Sequence, residues 1–467
     1  AGVSNWRLAR AVAMLGQLGT VSGTALDLIM ARRLQDGDKD GQMRHALEHF
    51  PLKQMAQSII DEYFIPGGKQ PDAPYKPVPM HSKDGPRRAR ELCIAANFVE
   101  VFLAREGHDG CVGINYLEKI QFPHLPSLYG AMLAGVTVVI MGAGIPREIP
   151  SVIASFAQHQ AATYPLRVAG PQSGEEVRMS FDPSEYLGED LPDLRKPAFL
   201  PIVSSSVLAQ VMARKTVGAI DGFIVEGPTA GGHNAPPRGA MKLTPDGQPI
   251  YGERDVVDLA EMRALGKPFW LAGGYGTPGK LGEALAAGAA GIQVGTVFAF
   301  CAESGLDDSF KRALLDKALR CQASVFTDPV ASPTGFPFKV AQLEGTASEK
   351  ADYLARLRLC DLGYMRELYR RSDGTLGYRC PAEPVEQYVA KEGRREDTVG
   401  RKCLCNTLMA NIGMAQRVKG GGIEQALITT GDDLVHLDRF ASLAHPDYSA
   451  ADVVRILLAD AKAAANG

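Results

Sequence analysis

Apolar and polar positions follow two rhythms along the first 300 residues. Residues 4–16 predict a helix, because Leu8, Ala11, Val12 and Leu15 recur on one helical face and Ser4 or Asn5 can cap its start. Residues 25–64 predict two helices, 26–34 and 43–63, around a turn at 37–41, and the proline-rich stretch 65–80 predicts an irregular excursion. Short apolar runs predict strands at 18–23, 111–116, 136–141, 221–226, 268–272 and 291–294. A further strand falls at 161–168, at 199–204, or at both, and residues 92–97 are an additional candidate. Helical stretches at 99–105, 126–134, 207–213, 256–265 and 281–287 separate these runs. Near-continuous apolar strands alternating with helices call for a parallel sheet covered by helices. Two closures satisfy that pattern, a (β/α)8 barrel and an open doubly wound sheet. Beyond residue 300 the rhythm fades. Helices are expected at 306–322, 347–371 and 448–464, with irregular chain at 323–345 and 372–420.

Composition narrows the class. The chain has 467 residues, 45% hydrophobic and 22% charged, as globular proteins do. A formal net charge of -3 argues against a surface built to neutralise phosphate backbones, so no nucleic-acid partner is expected. No uninterrupted apolar run reaches the length of a membrane span, and no basic segment followed by an apolar one marks a secretory signal, so no membrane partner is expected. Eight scattered cysteines are too sparse for a disulfide scaffold and fit a reducing cytoplasm. The basic run Arg87-Arg88-Ala89-Arg90 reads as a solvated turn.

Chemistry gathers at strand ends. Ala272-Gly273-Gly274-Tyr275-Gly276-Thr277 and Gly291-Ile292-Gln293-Val294-Gly295-Thr296 close the last two strands. In a barrel, the loops after strands seven and eight hold phosphate, because glycines let backbone N–H groups approach its oxygens. The bland alternative, tight turns alone, suits one such end better than two. Glu226-Gly227-Pro228-Thr229-Ala230-Gly231-Gly232-His233-Asn234 leaves the preceding strand on the same face. His233 is the one histidine in a glycine-rich loop at a strand end, where it serves either as a proton acceptor or as a loop-holding hydrogen-bond partner. Cys403-Leu404-Cys405, with Cys360 and Cys380 upstream, lacks the C-x2-C spacing of a zinc knuckle and reads as buried free cysteines, so no metal is expected. No P-loop, G-x-S-x-G, H-E-x-x-H or strand-borne G-x-G-x-x-G occurs.

Gly2-Val3-Ser4-Asn5 before a helix, Glu226 through His233, Ala272-Gly273-Gly274 and Gln293-Val294-Gly295-Thr296 together resemble the nitronate monooxygenase family, formerly the 2-nitropropane dioxygenases, whose superfamily also holds flavin-dependent enoyl-acyl-carrier-protein reductases. The resemblance spans residues 1–300 with interruptions. It implies a (β/α)8 TIM barrel holding FMN, with the first strand lying before Ala1. It further implies that Gly273, Gly274, Gly295 and Thr296 hold the FMN phosphate and that Gln293 belongs to the same cofactor-binding set. Gly231 and Gly232 match glycines beside the cofactor, Asn115 a position facing the flavin ring, and His233 the catalytic histidine. The segments 25–90 and beyond about 345 are long for the family. The organisation expected is therefore a barrel over 1–300 with an insertion at about 25–90, and a C-terminal extension over 301–467 packed on the barrel flank, with Phe326–Lys339 folding over the mouth.

The activity so implied is oxidation of an alkyl nitronate or nitro compound with O2 to a carbonyl compound and nitrite. NAD(P)H-dependent reduction of an enoyl thioester or quinone is the alternative. An inactive barrel with a partner-binding extension is a third reading, which the retained glycine and histidine motifs disfavour. An oligomer is compatible with all three.

Overall fold

The computed structural model describes residues 2–170, 174–186, 192–417 and 422–465, so parts of the polar stretch 170–196 lie outside them. In chain order the strands are β1 (Gly19–Ser22), β2 (Val112–Leu117), β3 (Val138–Gly142), β4 (Ala162–Pro165), β5 (Val168–Ala169), β6 (Arg178–Phe181) and β7 (Ala198–Val203). Then come β8 (Phe223–Glu226), β9 (Phe269–Ala272), β10 (Gly291–Gln293), β11 (Val325–Asp328), β12 (Phe338–Ala341), β13 (Glu367–Arg370) and β14 (Leu376–Arg379).

Seven of these form one curled parallel sheet in the order β1-β2-β3-β7-β8-β9-β10. Alternation along each strand separates two apolar faces. Ile140, Leu200, Ile224 and Ala272 meet on the inner face with Val138, Ile202 and Trp270. Val139, Phe199, Phe223, Val225, Phe269 and Leu271 pack outward into the helical layer. Both faces are covered, which is why the runs are apolar throughout. Helices alternate with the strands as a barrel requires, from Arg87–Arg105 before β2 to Lys280–Ala286 before β10. Asn5 caps the first helix, Trp6–Met14, by accepting the Leu8 N–H at 3.0 Å.

The opening between β1 and β10 is filled by other means. Ser22 N–H donates to the Ser4 carbonyl at 2.8 Å, and Ser4 Oγ donates to the Thr20 carbonyl at 2.6 Å, so residues just before the first helix flank the outer edge of β1. Leu8 and Val12, Val297 and Phe300, and Val453 and Leu457 of the final helix (Ala450–Ala465) share one buried cluster there. No described helix is long and apolar enough to cross a membrane.

Several expectations change. Leu92–Asn97 is no strand: it lies inside Arg87–Arg105, whose side chains are buried nearly all round, so its apolar run carries no helical period. The same helix absorbs the basic run. Arg88 pairs with Glu62 and Glu91 instead of sitting in a turn. Residues 25–64 form three helices, Leu26–Gln35, Gln42–His49 and Lys53–Tyr63, because Pro51 forces Phe50 into an extended conformation. Of the two alternatives, 199–204 corresponds to the barrel strand β7. β4 instead pairs antiparallel with β6, and its Thr163 is exposed, which a barrel strand covered on both faces does not allow. The expected irregular stretch 323–345 is the antiparallel hairpin β11–β12. The helix expected over 347–371 is confined to Lys350–Ala355, and β13 follows.

Candidate functional site

At the C-terminal rim of the sheet, inner-facing residues surround a cleft that is open to solvent on one side. Ser22 and Asn115 lie side by side in register on β1 and β2, and Glu226 ends β8 in register with Ala272 of β9 and, through it, Gln293 of β10. Asn115, Glu226, Gly231, Gly232 and His233 all line the cleft. Apolar lining comes from beyond the barrel: Phe338 from the hairpin, and Met365, Leu404, Leu408 and Met409 from the C-terminal extension. Residues from the extension therefore line the mouth.

The loop carrying His233 is fixed on both sides. A Cβ on Gly231 would stand 2.7 Å from the Gly431 nitrogen, so only glycine permits that approach. Gly232, at φ +82°, donates its N–H to Thr429 Oγ1 at 2.8 Å and accepts the Lys339 N–H at 2.9 Å. Asn234 N–H donates to the Pro337 carbonyl at 2.9 Å. These bonds strap the loop to β12. His233 Nε2 then lies 2.7 Å from Ser332 Oγ, and its ring meets Phe338 edge-on at 4.8 Å. Among the described residues Nδ1 makes no hydrogen bond.

Dehydration sets the charge of this rim. It pushes the His233 imidazole down to about 4, so the ring is neutral at neutral pH and carries a free lone pair. Dehydration also pushes the Glu226 carboxyl up to about 8, so it holds its proton at neutral pH and can donate a hydrogen bond. Two titratable groups in one cleft, displaced in opposite directions, leave it without fixed charge.

The other predicted residues sit next to the cleft rather than in its lining. Gly273 and Gly274, at φ +84° and +75°, turn the chain against Thr229, where a Cβ on Gly273 would be 2.9 Å from the Gly227 carbonyl oxygen. Thr296 Oγ1 accepts the Gly431 N–H at 2.8 Å, and Gly276 N–H donates to Asp433 Oδ2 at 3.0 Å. The segment Thr429–Asp433 thus bridges the loops that the resemblance assigns to phosphate. Room for a bound group remains: a Cβ on Gly232 or Gly295 would meet nothing within 4 Å. The buried Gln293 Oε1 has no partner among the described residues. Open space beside glycine backbone and an orphaned acceptor at the sheet rim fit a flat, hydrogen-bonding cofactor with a polar tail.

Glu226 entered the sequence reading only as the first letter of a motif. A carboxyl at the end of a strand buried on both faces was the signal that could have singled it out. Thr429 and the apolar wall had no local signal, because they reach the site from far along the chain.

Residues 192–334 match the family model described as nitronate monooxygenase. That span holds His233 and every predicted glycine of the site but not Asn115. A nitronate monooxygenase of Paraburkholderia phytofirmans is 33% identical over 129 residues, covering 27% of this chain and 32% of that protein, so the chain matches about a third of its relative's length. FabK from Thermotoga maritima is similar in structure at a TM-score of 0.49 and 16% identity, with 100% of this chain and 91% of that one covered. A nitroalkane oxidase from Streptomyces ansochromogenes gives 0.46 and 15%, with 100% and 94% covered.

Proposed function

We propose that the chain is an FMN-dependent oxidoreductase whose barrel-mouth cleft oxidises alkyl nitronates with O2 to a carbonyl compound and nitrite. The observation that carries this reading is the convergence of His233, Glu226, Gly231 and Gly232 on one cleft, inside the span that matches the nitronate monooxygenase family. Bound FMN would supply the redox chemistry, electron transfer from the substrate to O2. Asn115, Gly231 and Gly232 would lie against its ring, and Gly273, Gly274, Gln293, Gly295 and Thr296 would hold its ribityl phosphate end.

The chain's own residues decide which substrate form is used. An anionic nitronate enters a rim that carries no negative charge while Glu226 holds its proton, and that carboxyl can donate to a nitronate oxygen. A neutral nitroalkane must first lose its α-proton, and His233 Nδ1 is the free base for that step. An imidazole titrating near 4 is a weak base at neutral pH, so nitronates are the better substrates. Ser332, through Nε2, orients the ring.

Replacing His233 with Asn should lower turnover of nitroalkanes at least tenfold more than turnover of nitronates. Equal losses on both substrates would remove the base role. The apolar wall of Met365, Leu404, Leu408 and Met409 favours one further reading, reduction of an enoyl thioester or quinone by NAD(P)H. Anaerobic spectra separate the two. Bleaching of the flavin by a small alkyl nitronate alone supports the oxidase, and bleaching by NADPH alone supports the reductase.

A further inference from the structure

One glycine of the strand-end motifs takes no part in the cleft or in the set assigned to the cofactor. Gly276 lies in Ala272-Gly273-Gly274-Tyr275-Gly276-Thr277, yet unlike Gly273 and Gly274 it is not held at positive φ, so its own backbone does not call for glycine. What excludes a side chain there is Asp433, from the C-terminal extension. A Cβ on Gly276 would stand 2.6 Å from Asp433 Oδ2, and the Gly276 N–H donates to that oxygen at 3.0 Å. We propose, resting on the FMN reading of the cleft, that Asp433 is a specificity-determining residue: its carboxylate is a resident anion of the phosphate loops and weakens the binding of a flavin that carries a phosphate relative to one that does not.

Three observations carry this. First, a backbone N–H of a glycine-rich turn is the kind of donor that a phosphate takes, and here a carboxylate already holds it. Asp433 stands in the first turn of the short segment Asp432–Arg439, where an acidic side chain can serve its own backbone. It accepts instead from a residue 157 positions away. Second, Asp433 is 7% exposed, so solvent screens its charge little. A phosphate brought beside it meets a like charge, whereas a neutral ribityl end does not. Third, the cation that reaches this segment is already engaged. Lys339 Nζ donates to Asp432 Oδ1 at 2.6 Å and to Thr327 Oγ1 at 3.0 Å.

The carboxylate has no cheap way aside, because the segment that bears it is tied down along its length. Thr429 Oγ1 accepts the Gly232 N–H at 2.8 Å, Gly431 N–H donates to Thr296 Oγ1 at 2.8 Å, and Asp432 N–H donates to the Thr229 carbonyl at 3.0 Å. Gly431, at φ −83°, is glycine for the same reason as Gly276: a Cβ there would stand 2.7 Å from the Thr229 carbonyl oxygen. Repulsion between Asp433 and a phosphate is therefore read as weaker binding, not relieved by a swing of the side chain. Burial raises the pKa of Asp433, and the Gly276 N–H, which favours the ionised form, works against that rise.

The test is titration of the full chain, freed of flavin, with FMN and with riboflavin, following quenching of flavin fluorescence at about pH 7.5, well above the ordinary carboxylate range. Asp433→Asn keeps the shape and an oxygen for the Gly276 N–H and removes only the charge. It should lower the Kd for FMN about tenfold and leave that for riboflavin within about twofold. An unchanged ratio of the two constants, or weaker FMN binding in the variant, overturns the proposal and leaves the FMN reading standing. Binding of neither flavin, to native chain or variant, removes the FMN reading and this inference with it. Asp433→Ser, which also lacks the charge, carries the same comparison if the Asn variant does not fold. If neither folds, the native chain decides: a preference for FMN over riboflavin below about tenfold supports the resident anion, and a larger one overturns it.

Discussion

The parallel sheet and the C-terminal extension solve the same problem differently. In the sheet, regular alternation buries one apolar row inward and another under helices, and the polar residues that remain sit at the strand ends. Between residue 342 and the final helix regular elements are short, and long-range polar contacts join them. Arg356 and Glu424 form a buried ion pair, 5% and 1% exposed. Tyr364 OH donates to Asp27 Oδ1 at 2.7 Å, and the same carboxylate meets His81 Nε2 at 2.7 Å. Lys402 Nζ donates to the Ala347 carbonyl at 2.7 Å. A fold built from periodic burial spreads its stability over many residues, whereas one built from specific contacts concentrates it in a few.

The largest expected effect tests that contrast directly. Glu424→Ala leaves the Arg356 guanidinium buried without its carboxylate, and it should cost about 3–5 kcal/mol in urea or thermal unfolding. Replacing both partners with apolar residues should restore most of the loss, because it removes the uncompensated charge. If Glu424→Ala costs less than about 1 kcal/mol, the extension is held by its apolar contacts and the contrast fails.

The same contrast explains what the sequence made legible. Seven strand positions were readable because runs such as Val136–Met141 and Asp221–Glu226 are apolar and end in glycine or a charged residue. Histidine and glycine motifs were readable because each is contiguous. The hairpin β11–β12 was missed because nine residues separate its strands and no two-residue turn signal marks it. The helix expected over 347–371 stops at Ala355, where Arg356 swings to Glu424, a partner 68 positions away. No local window contains that partner. That Cys360 and Cys380 meet Cys403 and Cys405 was not legible, since only tertiary structure brings them together.

Charge at the rim gives the next effect, and its sign differs for the two groups. Glu226 keeps its proton to about pH 8 in the folded chain and loses it near 4.5 when unfolded, so its contribution is full below 4.5 and is lost as pH rises through 8. His233 takes a proton only near 4 when folded but near 6.5 when unfolded, so its contribution is full above 6.5 and is lost as pH falls through 4. Between 4.5 and 6.5 the two slopes oppose each other. Cofactor-free protein should therefore show a plateau there and a decline from 6.5 to 8, with about 1.4 kcal/mol per pH unit as the ceiling before solvent at the open cleft reduces it. Glu226→Gln should remove the alkaline decline, and His233→Asn should start the decline at lower pH. Melting curves across pH that leave the alkaline limb intact in Glu226→Gln would assign that limb to other groups.

The smallest effect lies where the two regions meet. Thr429 Oγ1 accepts the Gly232 N–H at 2.8 Å and donates to the Lys339 carbonyl at 2.7 Å, so one hydroxyl from the extension ties the His233 loop to β12. Thr429→Val keeps the shape and removes both bonds, at a cost of about 1–2 kcal/mol if the two backbone groups stay dry. Water reaching them through the open cleft would reduce that toward zero. The kinetic consequence is the more telling one. A loosened loop should raise KM for nitronates and leave the ratio of nitroalkane to nitronate turnover near that of the native chain, because His233 keeps its contact with Ser332. Should Thr429→Val instead depress nitroalkane turnover selectively, as His233→Asn is expected to do, the extension would be setting the orientation of the base, and the barrel alone would not account for the site.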